Sequence, residues 1–174
     1  MRSAGIDPRV DPAAIDESPR AGEEPVEYAA RLAREKALAV AGRHPDATVL
    51  GADTVVVIDR APLGKPVDER EARTMLHRLA GRKHEVVTAV YWVPPGTATG
   101  VALSVLTEVY FRELTEREIE GYLASREWQD KAGGYAIQGH AASFVRAISG
   151  SYTNVVGLPL CEVVCELRRA GVIE

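Results

Sequence analysis

The distribution of apolar and polar positions predicts a strand near residue 50. Two apolar stretches, Val49–Leu50 and Val55–Ile58, flank a short insert of small and polar residues. A β-branched run of this length is too short to span a membrane and is typical of a strand buried on both faces. One carboxylate, Asp53, lies inside this predicted strand.

Four further segments are predicted to be helices, from apolar residues at three-and-four spacing or from helix-start signals. They cover residues Pro25–Arg43, Asp68–Ala80, Glu116–Ser125 and Pro159–Ala170. The second and third begin with capping-box patterns, in which Asp68 precedes Glu71 and Thr115 precedes Glu118 by three positions.

Three other apolar segments predict strands. Glu85–Val93 and Val101–Phe111 are separated by a Pro-Pro-Gly turn, which favours a long antiparallel hairpin. A shorter strand is predicted at Ala142–Ile148. Because helices and strands are interspersed without a linker or repeat, we predict one α/β domain over residues 1–174, built on a mixed sheet.

Composition narrows the functional classes. The 174 residues carry a formal net charge of −4, which argues against a general nucleic-acid-binding protein but leaves room for a local basic pocket. No apolar run reaches the roughly 18–20 residues that a membrane span needs, and the first residues lack a signal-peptide core. The cytoplasm is therefore the expected location.

Asp53 and Lys65 are the first candidates for chemistry. A carboxylate in a core strand is costly unless it is paired, hydrogen-bonded or metal-bound. Lys65 stands between Gly64 and Pro66, on a turn that fixes the backbone around a cation. Both groups could face one cleft suited to phosphate chemistry, or Asp53 could be a structural acceptor and Lys65 an ordinary turn residue. From these residues alone, both interpretations stay open.

Three other segments carry weaker signals. The adjacent carboxylates Asp16 and Glu17 fit a solvated acidic turn or a pair of metal ligands, and Lys36 by itself fits a solvated helix position. The segment Asp130–Gly139 is rich in glycine and contains Gln138, whose amide offers a donor and an acceptor to a nucleobase. Most such loops are only turns.

Taken together and in order, seven short motifs make the chain resemble one family. They are Asp16-Glu17-Ser18-Pro19, Arg34-Glu35-Lys36-Ala37, Gly51-Ala52-Asp53-Thr54-Val55-Val56, Gly64-Lys65-Pro66, Asp130-Lys131-Ala132-Gly133, Ile137-Gln138-Gly139 and the segment from Gly150 to Pro159. The chain resembles the Maf family of nucleoside triphosphate pyrophosphatases, and within it the branch acting on dTTP and UTP rather than on 7-methyl-GTP.

The resemblance implies a fold with two lobes around a central cleft, like that of the inosine triphosphate pyrophosphatases. It also implies a divalent cation, Mg²⁺ or Mn²⁺, a nucleoside triphosphate as substrate and a cytoplasmic location. No nucleic acid or membrane partner is expected, and the oligomeric state stays open, a homodimer included. The implied roles are proton acceptor and metal ligand for Asp53, cleft carboxylate and metal ligand for Glu17, phosphate-facing cations for Lys36 and Lys65, and substrate binding or base specificity for Thr54, Lys131 and Gln138.

The resemblance also raises an expectation about the N-terminus. Members of the family begin with a strand and a Ser-Pro-Arg-Arg loop, whereas this chain begins at Met1-Arg2-Ser3. We expect an N-terminally incomplete domain whose start is assigned too late. The leading hypothesis is hydrolysis between the α- and β-phosphates of dTTP or UTP. The alternative is a catalytically weak nucleotide-binding or interaction protein.

Overall fold

The computed structural model describes the backbone of residues 1–174 and every side chain except that of Ser3. The helices are α1 (Pro25–Ala41), α2 (Glu69–Leu79), α3 (Glu116–Ser125), α4 (Tyr152–Val156) and α5 (Leu160–Arg169). The strands are β1 (Val49–Ile58), β2 (Ala61–Leu63), β3 (Lys83–Val93), β4 (Val101–Phe111) and β5 (Val145–Ser149). Short 3-10 turns occupy Arg2–Ala4, Ala132–Gly134 and His140–Phe144.

The five strands form one open sheet in the order β2-β1-β3-β4-β5, and every neighbouring pair is antiparallel. The α/β class is confirmed, but the prediction of a mixed sheet is wrong. The connections explain the difference. A tight turn at Asp59 and Arg60, both with positive φ, folds β2 back on β1, and a second hairpin joins β3 to β4. Helix α2 carries the chain from β2 to β3, which lie on opposite sides of β1 and so never pair.

The predicted element boundaries hold closely for most of the chain. Thr115 and Glu118 form the predicted reciprocal capping box, and Asp68 accepts a hydrogen bond from the amide of Glu71. Three segments differ from the prediction. The strand predicted from Ala142 starts only at Val145, after a 3-10 turn. No element is predicted for Ala61–Leu63 or Tyr152–Val156, which form β2 and α4.

Helix α1 covers one face of the sheet through small residues. Gly51 of β1 lies so close to this helix that a Cβ there would stand 2.4 Å from the carbonyl oxygen of Ala33 and 2.7 Å from the amide nitrogen of Ala37. Glycine at this position thus sets the distance between α1 and β1, and with it the position of Lys36 relative to the strand.

The opposite face of the sheet packs against the other helices around an aromatic cluster. The His84 ring makes edge-to-face contacts with Phe111 and Tyr135, and Tyr122 makes one with Phe144. The buried His84 donates to or accepts from the Tyr135 hydroxyl at 2.8 Å. Burial lowers the pKa of His84 to about 4, so this core holds a neutral imidazole at neutral pH.

One edge of β1 is free of a neighbouring strand over most of its length. Strand β2 pairs only with the last three residues, Val56–Ile58. In the described backbone, residues 49–55 have a strand partner on the β3 side alone. Asp53 lies on this open stretch. No described helix is long and apolar enough to cross a membrane.

Candidate active site

Asp53, Lys36 and Glu17 form a cluster of charges beside the open stretch of β1. The ammonium nitrogen of Lys36, on α1, donates a hydrogen bond to Oδ1 of Asp53 at 2.7 Å and lies 2.9 Å from Oε1 of Glu17. The Asp53 side chain is 12% exposed and that of Glu17 is 45% exposed. Two carboxylates share one ammonium, so the cluster carries one net negative charge when all three groups are ionised.

Helix α1 also holds the loop that carries Glu17. The hydroxyl of Tyr28 donates to the backbone carbonyl of Glu17 at 2.8 Å, and the guanidinium of Arg31 donates to the carbonyl of Ser18 at 3.1 Å. Arg31 is itself paired with Glu23 at 2.6 Å. These contacts fix a segment of irregular backbone against the helix, which places Glu17 within reach of Lys36.

The environment shifts the proton affinities of the cluster. Burial raises the pKa of Asp53, the Lys36 ammonium opposes this, and the charge of Glu17 adds to the increase. Burial also acts to lower the pKa of Lys36, but its hydrogen bonds and charge interactions with Asp53 and Glu17 outweigh it, and the pKa is raised. The result is a more basic carboxylate held next to a firmly protonated lysine.

A cleft of about 390 Å³ opens on the other side of β1. Successive side chains of a strand point to opposite faces, so Asp53 lies on the α1 side and Thr54 on the cleft side, yet both reach the cleft at the open edge. The cleft lining includes Asp53, Thr54, Lys65, Lys131, Gln138 and Gly157. A smaller adjoining hollow is lined by Glu17 and Lys36 and shares Ala52 with the cleft.

Two glycine-dependent contacts bring the distant loops to the cleft. The amide of Gly133 donates to the carbonyl of Gly64 at 2.9 Å, which ties the Lys131 segment to the Lys65 turn. Gly133 has φ of 68°, and a Cβ there would lie 3.1 Å from the side chain of Val56. A glycine is needed here both for the left-handed backbone and for the close approach to β1.

The cleft holds two lysines that differ from Lys36 in their surroundings. Among the side chains that the structure describes, neither Lys65 nor Lys131 has a carboxylate within 4.0 Å, whereas Lys36 has two. Lys65 and Lys131 thus present positive charge to the cleft. The arrangement combines a basic carboxylate, exposed cations and a neutral polar wall, which suits a polyanion that carries a polar ring.

The structure gathers all seven predicted site residues around one cleft and its adjoining hollow. Lys36 differs from a free phosphate-facing cation, because the two carboxylates hold it. Sequence reasoning missed Tyr28, which supports the Glu17 loop, and the buried residues Thr88 and Asn154 behind Thr54. Asn154 belongs to the quoted motif from Gly150 to Pro159, so a signal was present there. Nothing in the local sequence singles out Thr88.

The donor set for a metal is small. No group of three or more His, Cys, Asp or Glu side chains suited to a metal ion occurs among the described residues. Asp53 and Glu17 contact the same ammonium of Lys36 with one oxygen each, which leaves a net negative charge on the cluster and the other carboxylate oxygens as donors for a cation. This fits Mg²⁺ or Mn²⁺, since such ions are commonly held by one or two carboxylates together with substrate phosphates and water.

Comparison with known proteins identifies the family of this chain. The family model described as Maf-like protein matches residues 1–170. The dTTP/UTP pyrophosphatase of Paramagnetospirillum magneticum is 54% identical over 153 residues, which is 88% of this chain and 80% of that protein. The dTTP/UTP pyrophosphatase of Geobacter sulfurreducens is 49% identical over 174 residues, covering 99% and 91%. That of Zymomonas mobilis is 50% identical over 168 residues, covering 96% and 83%. The chain belongs to the Maf family.

Proposed function

We propose that this protein hydrolyses dTTP and UTP to the nucleoside monophosphate and pyrophosphate, with the help of a divalent cation. The observation that carries the proposal is the position of Asp53, a basic carboxylate on an open strand edge, between a charged cluster and a cleft with two exposed lysines. The names of the relatives agree with this reaction. The two-lobed, inosine triphosphate pyrophosphatase-like arrangement around the cleft is part of the proposal.

Asp53 is the group that handles the proton. A water molecule attacks the α-phosphorus, Asp53 accepts its proton, and the bond from that phosphorus to the pyrophosphate oxygen breaks. Asp53 lines the cleft, and Lys36 binds only its Oδ1 atom, which leaves Oδ2 to accept the proton. Lys36 orients the carboxylate through the 2.7 Å hydrogen bond.

Lys65 and Lys131 bind the phosphates. Both lysines line the cleft and form no ion pair within 4.0 Å among the described side chains, so they are available to the negative charge that develops on the phosphate oxygens. Charges preorganised in this way stabilise the transition state without having to move during the reaction.

Asp53 and Glu17 would hold the cation. Their net negative charge would otherwise repel a triphosphate, and a bound Mg²⁺ or Mn²⁺ reverses its sign. When present, such an ion polarises the phosphate oxygens and favours the nucleophilic form of water.

The base contacts the uncharged polar part of the cleft lining. Thr54 and Gln138 offer hydrogen-bonding groups there, and neither carries a charge. A site that satisfies the polar groups of one base discriminates against analogues that leave those groups unpaired.

The test is product formation from five nucleotides. We expect pyrophosphate and monophosphate release from dTTP and UTP at a higher kcat/KM than from CTP, ATP or GTP, and loss of release on chelation of divalent ions. Binding of dTTP or UTP without release of pyrophosphate would instead support the nucleotide-binding alternative. Similar kcat/KM values for all five nucleotides would contradict the proposed base preference.

A further inference from the structure

Behind Thr54, in the wall of the cleft, lies a chain of buried hydrogen bonds. Thr54 and Thr88 are directly opposite each other on β1 and β3, and their hydroxyl oxygens are 2.8 Å apart. Thr88 is fully buried, whereas Thr54 lines the cleft. From this distance alone, either hydroxyl could donate to the other.

A second contact of Thr88 settles the direction. Its hydroxyl oxygen lies 2.9 Å from the backbone carbonyl oxygen of Asn154. A carbonyl has no hydrogen, and two oxygens at this distance repel each other unless a hydrogen lies between them. Thr88 has only one hydroxyl hydrogen, so it donates to Asn154. Thr54 must then donate its own hydrogen to Thr88.

The carbonyl of Asn154 is held firmly in place. The side-chain amide of Asn154 donates to the carbonyl of Val86 and to the hydroxyl of Thr107, each at 3.0 Å. Its orientation is fixed, because a reversed amide would set its oxygen against the Val86 carbonyl. Asn154 is fully buried, and its backbone carbonyl also accepts from the amide of Gly157 at 2.9 Å. The hydrogen-bond direction is therefore imposed from the core.

The consequence lies on the cleft side of Thr54. Its hydrogen is committed to Thr88, so its hydroxyl oxygen can only accept a hydrogen bond from a ligand. Gln138 contrasts with it: this side chain is exposed and makes no hydrogen bond with the described residues. Its amide can turn over and present donor and acceptor in either order. Gln138 alone therefore cannot distinguish uracil from cytosine.

We propose that Thr88, locked by Asn154, is a positioning residue that sets base preference by making Thr54 an acceptor for the N3–H of uracil or thymine. N3–H is the only donor on the pairing edge of these two bases. Cytosine has an unprotonated N3 at that place, so two acceptors would face each other. The inference rests on the proposed function and extends it to two residues that do not touch the substrate.

Replacement of Thr88 by valine tests the inference. Thr88→Val keeps the shape but removes the acceptor for the Thr54 hydrogen, so that hydroxyl can turn and donate to N3 of cytosine. We expect the ratio of kcat/KM for UTP to that for CTP to fall by about tenfold, because a wrongly paired buried polar group is expensive. Thr88→Ser retains the hydroxyl and should keep the wild-type ratio. Thr88→Ala, which also lacks the hydroxyl without adding bulk, serves if the valine variant does not fold.

A double-mutant cycle provides the second readout. Thr54→Val should reduce the same ratio, and adding Thr88→Val to it should change the ratio no further, since Thr88 acts through Thr54. An unchanged ratio in Thr88→Val and Thr88→Ala would overturn the inference, and so would an equal fall in Thr88→Ser. If the wild-type protein releases no pyrophosphate from UTP or dTTP, the proposed function fails, and the inference fails with it. That result is distinct from a wild-type preference for UTP that the Thr88 variants leave intact.

Discussion

The two faces of β1 carry different kinds of group, charged side chains on the α1 side and neutral hydroxyls on the cleft side. On the α1 side, Asp53 and Lys36 form a partly exposed ion pair with Glu17 nearby. On the cleft side, Thr54 leads into buried hydroxyls and a fixed carbonyl with no formal charge. The charged cluster at the open edge suits proton transfer and the binding of a cation. Neutral groups of fixed direction suit the choice between bases, because they can be buried at far lower cost.

Strand geometry allows two adjacent residues to contribute to different faces of the sheet. Asp53 and Thr54 are neighbours in sequence, and the alternation of side chains sends them to opposite faces. The open edge of β1 lets both contribute to one cleft. Turnover and base selection should therefore be separable by mutation.

The largest effect is expected from Asp53→Asn. The substitution keeps the shape but removes the proton acceptor, so kcat/KM for UTP should fall by about 10²–10⁴-fold. The ratio of kcat/KM for UTP to that for CTP should stay near the wild-type value, because the groups on the cleft side of β1 are unchanged. Pyrophosphate release measures both quantities, and circular dichroism checks the fold. A simultaneous loss of base preference would show that the two faces do not act separately.

A smaller effect is expected from Lys65→Ala. A hydrogen bond to a charged group contributes about 1.5–3 kcal/mol, so kcat/KM should fall by roughly 10- to 150-fold for every triphosphate. Lys83 provides the matched control, because it is paired with Glu108 at 2.6 Å on the sheet surface, away from the cleft. Lys83→Ala should retain wild-type kinetics. Equal behaviour of the two variants would assign Lys65 to the turn alone.

The neutral character of the cleft-side core can be tested through His84. Its folded pKa of about 4 lies below the ordinary 6.5, so the unfolded chain binds the extra proton between these values. Stability is therefore lost as the pH falls through that window, by about 2 kcal/mol at pH 5 relative to pH 8. His84→Gln should lack this part of the pH dependence. Urea unfolding at both pH values measures it, and parallel losses in the two proteins would contradict the assignment.

The smallest effect is expected from Gln138→Ala. This exposed amide adapts to either pyrimidine, so its loss should lower kcat/KM for UTP by less than about tenfold, the scale of one neutral hydrogen bond. The ratio for UTP over CTP should change less than in Thr88→Val. The same five-nucleotide assay gives both values. A larger loss of selectivity in Gln138→Ala than in Thr88→Val would show that Gln138, and not Thr54, discriminates between uracil and cytosine.

Local signals in the sequence determined most of the helices and strands of this protein. Apolar periodicity and capping patterns predicted α1, α2, α3, α5 and the long strands, because these features depend on neighbours a few positions away. The resemblance to the Maf family is confirmed, and it named the residues that the structure gathers at the cleft. Their catalytic roles, the metal and the homodimer stay predictions.

Only the tertiary structure decided how these pieces act together. The all-antiparallel sheet follows from which strands become neighbours, and alternation of apolar residues does not encode that choice. Lys36 fitted a solvated lysine until the packing of α1 on Gly51 brought it to Asp53. The link from Thr54 through Thr88 to Asn154 joins positions 34 and 66 residues apart. Its hydrogen-bond direction depends on distances between atoms that meet only in the folded chain.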